Sequence, residues 1–101
     1  MSRRFRAPSP QTIAVLQALS GPHARWSYGL EIAEATGLAS GSLYPILIRL
    51  AERGLLESEW QDPAQPGRPA RHAYRITGEG RAVLHHALAT GRKPGLKEAW
   101  R

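Results

Sequence analysis

A chain of 101 residues without a single cysteine is the size of one small domain or one protomer of an oligomer, with no disulfide framework, thiolate nucleophile or cysteine-based metal site. Hydrophobic residues make up 42%, enough for a modest core and too many for wholesale disorder, while no apolar run approaches the roughly 20 residues of a membrane span. Fourteen Lys and Arg against eight Asp and Glu leave a net charge of +6, which suits a polyanionic partner such as DNA or RNA.

The N-terminal MSRRFRAPSP is basic but lacks the apolar stretch of a secretion signal, so a cytoplasmic protein without a membrane partner is expected. Residues 1–9 are read as a basic arm, carrying Arg3, Arg4 and Arg6 as a tail or a minor-groove contact. Ser9 before Pro10 predicts a helix start, since serine caps free N–H groups and proline suits the first helical position. Ile13, Val15, Leu16 and Leu19 make that helix apolar, and Ser20-Gly21-Pro22 ends it. Ser27 is positioned to cap a second helix bearing Leu30, Ile32, Ala33 and Ala35, with Gly37 at its end.

A third helix follows after only two or three residues, so the pair reads as a helix-turn-helix. Leu43, Ile46, Leu47 and Leu50 recur at i, i+3, i+4 and i+7, the period of one buried helical face. Pro45 sits among them, which is costly in a helix interior but cheap near its start. Capping by Ser40 or Ser42 would put it there. The result is a helix tip of small residues with unpaired N–H groups beside Tyr44, suited to a phosphate. In a helix-turn-helix, this end of the second helix contacts base edges.

Past Gly54 the pattern changes. LLESEW reads as a strand with Leu56 and Trp60 on one face, and HAYRIT as a second with Tyr74 and Ile76 aligned. The intervening QDPAQPGRPAR is too rich in proline for helix or central strand. The two strands and their basic loop make a wing. Thr77 is expected to cap a fourth helix with Val83, Leu84, Ala87 and Leu88 as its stripe, interrupted from Gly91 to Gly95 before LKEAWR. The fold class is therefore mainly α with a small β-hairpin: a winged helix-turn-helix of three helices, a two-stranded wing and a C-terminal helix. Residues 10–77 form the DNA-binding domain, and 78–101 serve dimerisation.

Charge follows this layout. Residues 1–30 hold Arg3, Arg4, Arg6 and Arg25 with no acid, residues 63–78 hold Arg68, Arg71 and Arg75 with none, and six of the eight acids lie between Glu31 and Asp62. An A-form major groove is too narrow for a helix, which favours duplex DNA over double-stranded RNA. Enzyme motifs are missing: Ser40 and Ser42 lie outside G-x-S-x-G, and there is no phosphate-binding loop or H-E-x-x-H. His85 and His86 diverge by about 100° on a helix and cannot share a metal. No enzyme activity, metal or cofactor is expected.

The stretch YGLEIAEATGLASGSLYPILIRLAERGLLESEW, followed by PGRPARHAYRITGEG, resembles the PadR family of bacterial transcriptional regulators over roughly residues 10–90. The SGSLYPIL segment, the RLAERGLLE exit and the GRP-containing wing carry the likeness. It implies a winged-helix dimer that binds operator DNA, usually as a repressor. Carried over, Ser40, Ser42, Tyr44 and Pro45 correspond to the recognition helix and Arg68 and Arg71 to the wing. The break at Gly91 departs from the longer terminal helix with which family members usually build their dimer.

The expected DNA-binding set is thus Tyr28, Ser40, Gly41, Ser42, Tyr44, Pro45, Arg49, Arg68 and Arg71. Plainer roles stand beside these: Tyr44 could pack against the wing, the serines could be caps alone, and the arginines could be solvated. A symmetric homodimer is expected through Ile13, Leu16, Leu19, Val83, Leu84, Ala87 and Leu88, whose stripes would be exposed in a monomer. Leu96 and Trp100, spaced i, i+4, could clasp the partner, and a small-molecule effector is a candidate further ligand. The rival reading is a winged-helix protein-interaction module.

Overall fold

Local signals at the two ends act as their chemistry dictates. The helix α1 (Pro10–Ala18) opens with proline in its first turn, and the Ser9 hydroxyl accepts the Thr12 N–H at 3.1 Å. The helix α4 (Gly78–Ala89) is capped by the Thr77 hydroxyl, which accepts the Gly80 N–H at 2.9 Å. The computed structural model describes residues 7–21, 25–63 and 65–95. Arg3, Arg4, Arg6, Pro22, Leu96 and Trp100 lie outside the described residues, and with them residues 1–6 of the N-terminal arm and the C-terminal clasp.

Between these helices run β1 (Ser27–Tyr28), α2 (Gly29–Thr36), α3 (Ser40–Glu52), β2 (Leu56–Gln61) and β3 (Arg71–Ile76). Gly37 closes α2 at φ 75°, a left-handed conformation that glycine adopts without a Cβ penalty. The strands form an antiparallel sheet in the order β1-β3-β2. The register sets Leu56 opposite Ile76, Ser58 opposite Tyr74 and Trp60 opposite His72. Leu43, Ile46, Leu47 and Leu50 are all buried, so α3 lies across the centre with its other side free. No helix among the described residues is long and apolar enough to cross a membrane.

Three expectations are corrected by packing. The sheet has a third strand beside the two-stranded β2–β3 wing: Ser27 and Tyr28 pair with Tyr74 and Ala73. Ser27 is thereby drawn into the sheet, and Tyr28, not Ser27, stands at the N-cap of α2, its N–H donating to the Glu31 carboxylate at 3.0 Å. Neither Ser40 nor Ser42 caps α3, because Ala39 is the N-cap and Ser40 is already helical. Pro45 is then the sixth residue and forfeits one bond, to the Gly41 carbonyl. Trp60 shares a strand face with Leu56, but Leu56 is buried while Trp60 is 68% exposed, out where the hairpin leaves the core.

The apolar stripes of α1 and α4 are the largest correction. Ile13, Leu16, Leu19, Leu84 and Ala87 are buried in the same cluster as Leu43, Leu47 and Ile76, and Val83 packs against it. The two helices cover each other and α3, so these side chains are not available to a partner, and the argument from exposed stripes fails. Of the seven, only Leu88 is exposed, at 37%. For the same reason α4 shares one core with residues 10–77. The Arg81 guanidinium also ties α4 to the end of α1, donating to the Ser20 and Gly21 carbonyls at 3.0 and 2.9 Å. After Gly91 the chain turns back, and the Gly95 N–H donates to the Pro10 carbonyl at 2.7 Å.

Candidate nucleic-acid interface

The tip of α3 has no side-chain cap. The Leu43 and Ser42 N–H groups both turn back to the Ala39 carbonyl, at 2.9 and 3.0 Å, which leaves those of Ser40 and Gly41 without an intrahelical partner. Ser40, Gly41, Ser42 and Pro45 are all exposed. A Cβ added at Gly41 would meet nothing within 4 Å, so the fold does not demand a glycine there. What the glycine provides is an approach to the helix end unobstructed by a side chain. Arg49, on the last turn, is exposed and in no ion pair among the described residues.

Tyr44 faces sideways. A Cβ at Gly29 would lie 2.9 Å from Tyr44 Cζ and closer still to the hydroxyl, so the phenol rests over the first residue of α2 and the absence of a side chain at 29 makes room for it. It is 42% exposed. Tyr44 thus lines a groove between α3 and the wing, with Tyr28, Leu30, Ile48, Trp60 and His72 as further walls.

Tyr28 is a fastener. Its hydroxyl donates to Gln61 Oε1 at 2.8 Å, and Arg71 Cζ lies 3.5 Å from the centre of its ring, a cation–π contact. One side chain therefore joins the start of α2 to the last residue of β2 and the first of β3. Glu31, three residues after Tyr28, is at the spacing of a capping pair and signals the N-cap of α2, not the tie to the wing.

The three wing arginines separate once folded. Arg75 is neutralised by Glu57, its cross-strand partner, at 2.6 Å, and its guanidinium lies 4.4 Å from the Trp26 ring centre. Arg71 is occupied by Tyr28 at the wing's base. Arg68, next to Gly67 in the turn, is exposed and in no ion pair among the described residues. The stretch 63–78 looks free of acid in sequence, yet antiparallel pairing brings Glu57 to it.

Trp60, not singled out in the sequence as a site candidate, lies exposed on the wall of the groove between α3 and the wing. Its indole stacks on His72 with ring centres 4.3 Å apart and planes within 12°. The Tyr74 hydroxyl lies 3.0 Å from His72 Nδ1. Burial, and then the nearby Tyr44, push the Tyr74 phenol above its ordinary 10.0. His85 and His86 are exposed on α4, far from this cluster in sequence.

The sequence profile of the transcriptional regulator PadR-like family matches residues 15–86, which spans α1 to α4. A PadR family transcriptional regulator from Eggerthella lenta is 31% identical, with 78% of this chain and 69% of that one covered and a TM-score of 0.67. A PadR-like transcription factor from Bacteroides fragilis is 27% identical, covering 78% and 77%, with a TM-score of 0.68. A PadR family regulator from Clostridium difficile is 25% identical, covering 83% and 88%, with a TM-score of 0.70. No curated protein sequence matches. The match over most of the chain, on a winged helix with an open α3 tip, makes this protein a member of the PadR-like family of transcriptional regulators.

Proposed function

We propose that the protein binds operator duplex DNA sequence-specifically and acts as a repressor, with α3 in the major groove and the wing on the backbone or in the minor groove. The observation that carries this reading is the pairing of two unobstructed anion-seeking groups. These are the N-terminus of α3 at Ser40 and Gly41, which has no side-chain cap and open space at Gly41, and Arg68 in the wing turn, in no ion pair among the described residues. Backbone N–H groups with a helix dipole favour a phosphate at the first, and a free guanidinium favours one at the second. Ser42 and Arg49 are further phosphate candidates. Tyr28 and Arg71 act by holding the wing in place. Two copies are needed to read half-sites a turn apart, and Leu88 is the exposed apolar residue that such pairing would use.

Salt titration of binding to the protein's own upstream DNA tests this. Each phosphate contact contributes about 0.9 to the slope of log affinity against log salt. Arg68→Ala should flatten the slope by about that amount on every duplex. An unchanged slope would remove the wing from the interface. Affinity insensitive to salt in the parent protein would favour an interaction module instead, whose apolar docking face would use the exposed Leu30, Ile48 and Trp60. A reporter driven by the same upstream DNA would show the sign of regulation.

A further inference from the structure

The free side of α3 has a composition unusual for a reader of bases. Successive residues are displaced by 100° around the helix, and Leu43, Ile46, Leu47 and Leu50 mark the inner side. The row opposite them is Gly41, Pro45, Ile48 and Glu52, all exposed. Ser42 and Arg49 lie on one flank, and Ser40 and Tyr44 on the other, where Tyr44 meets α2. A helix lying in a major groove turns its outermost row to the base edges. Here that row offers only hydrocarbon until Glu52, and Ile48 is 54% exposed.

Guanine is read by Arg or Lys, and adenine by Asn or Gln, through paired hydrogen bonds. No such side chain stands on the row. The base-edge group in the major groove that rewards contact with hydrocarbon is the C5-methyl of thymine. The Glu52 carboxylate at the far end is repelled by phosphates, so the N-terminal turns go deepest. Pro45 and Ile48 are separated by a rise of about 4.5 Å, against about 3.4 Å per nucleotide, which places them over neighbouring or next-but-one base pairs.

We infer that Ile48, with Pro45 before it, reads thymine methyl groups, so that operator choice rests on methyl contact more than on hydrogen bonding. The inference rests on the DNA-binding reading above and specifies what that interface recognises. The face is continuous with the α3 tip and lies beside the basic wing, which fixes duplex DNA as its occupant.

The test starts from duplexes that the protein itself selects out of a random-sequence pool. Each thymidine is then replaced singly by deoxyuridine, which deletes the methyl and keeps every hydrogen-bonding group. One or two positions per half-site should bind about fourfold more weakly, the worth of one buried methyl. Ile48→Ala, at an exposed position that leaves the core intact, should bind thymidine and deoxyuridine duplexes alike and keep the parent's salt slope. Sequence-selective binding indifferent to uridine at every position would overturn the methyl reading alone. An Ile48→Ala variant that still discriminates would overturn the assignment to Ile48. A pool that yields no preferred sequence would overturn the DNA reading beneath both.

Discussion

The tip of α3 and the wing are two halves of one candidate interface built on opposite terms. The tip carries almost no side chain. Its functional groups are backbone N–H donors, whose positions are fixed because Leu43 and Leu47 behind them are fully buried. The wing carries its charge on a long arginine in a turn, and is held to the body by Tyr28 through one hydrogen bond and one cation–π contact. Donors fixed by a core can enforce geometry. A charge on a long, exposed side chain can supply attraction without register. On the proposed reading, α3 would supply specificity and the wing affinity.

The strongest way to break the comparison is to attack the anchor of the tip. Leu47 is 0% exposed, and truncating such a leucine costs about 2–5 kcal/mol in transfer and cavity terms. Leu47→Ala should therefore lower the urea midpoint of the whole chain, because Leu47 belongs to the core cluster shared by the helices and the sheet. Unfolding confined to α3, with the sheet intact, would show that the tip and wing do not share a core. Gly41→Glu is the next largest in effect and acts on the tip alone. The site has open space for the side chain, so thermal stability should change by no more than about 0.5 kcal/mol, as for a surface substitution. DNA affinity should fall at least about tenfold, because the carboxylate occupies and repels the phosphate position. Retained affinity would mean that the tip is not at the DNA.

How far this arrangement could be read from sequence depended on the range of each interaction. Ser9 with Pro10, Gly37 and Thr77 were legible because a cap satisfies groups only a few residues away. Leu43, Ile46, Leu47 and Leu50 were legible because periodicity is local too. The strand β1 was not, since two residues become a strand only when β3 is folded beside them. The Ala39 cap was missed because serine's preference for that position yields here to the tight turn after Gly37. The pairings of Arg75 with Glu57 and of Arg71 with Tyr28 depend on register and tertiary contact. The stripes of α1 and α4 were legible as apolar, but not which surface would cover them. The candidates were legible in the sequence, but only the fold separated Arg68, in no ion pair among the described residues, from the occupied Arg71 and Arg75.

The smallest expected effect sharpens the account of how the wing is tied. Tyr28 holds it by two means, its hydroxyl to Gln61 and its ring under Arg71. Tyr28→Phe removes the first and keeps the second. A hydrogen bond of this kind contributes about 0.5–1.5 kcal/mol, and because Gln61 is only partly buried, water can replace the lost donor and the low end applies. Stability should drop slightly, while the salt slope for DNA stays at the parent value because no phosphate contact is lost. Tyr28→Ala removes both ties and frees the Arg71 guanidinium. If the ring is what holds the wing, hydrogen exchange of the β2–β3 amides should quicken in Tyr28→Ala and hardly change in Tyr28→Phe. Equal quickening in the two variants would assign the tie to the hydroxyl, and no quickening in either would mean that the β-ladder alone keeps the wing in place.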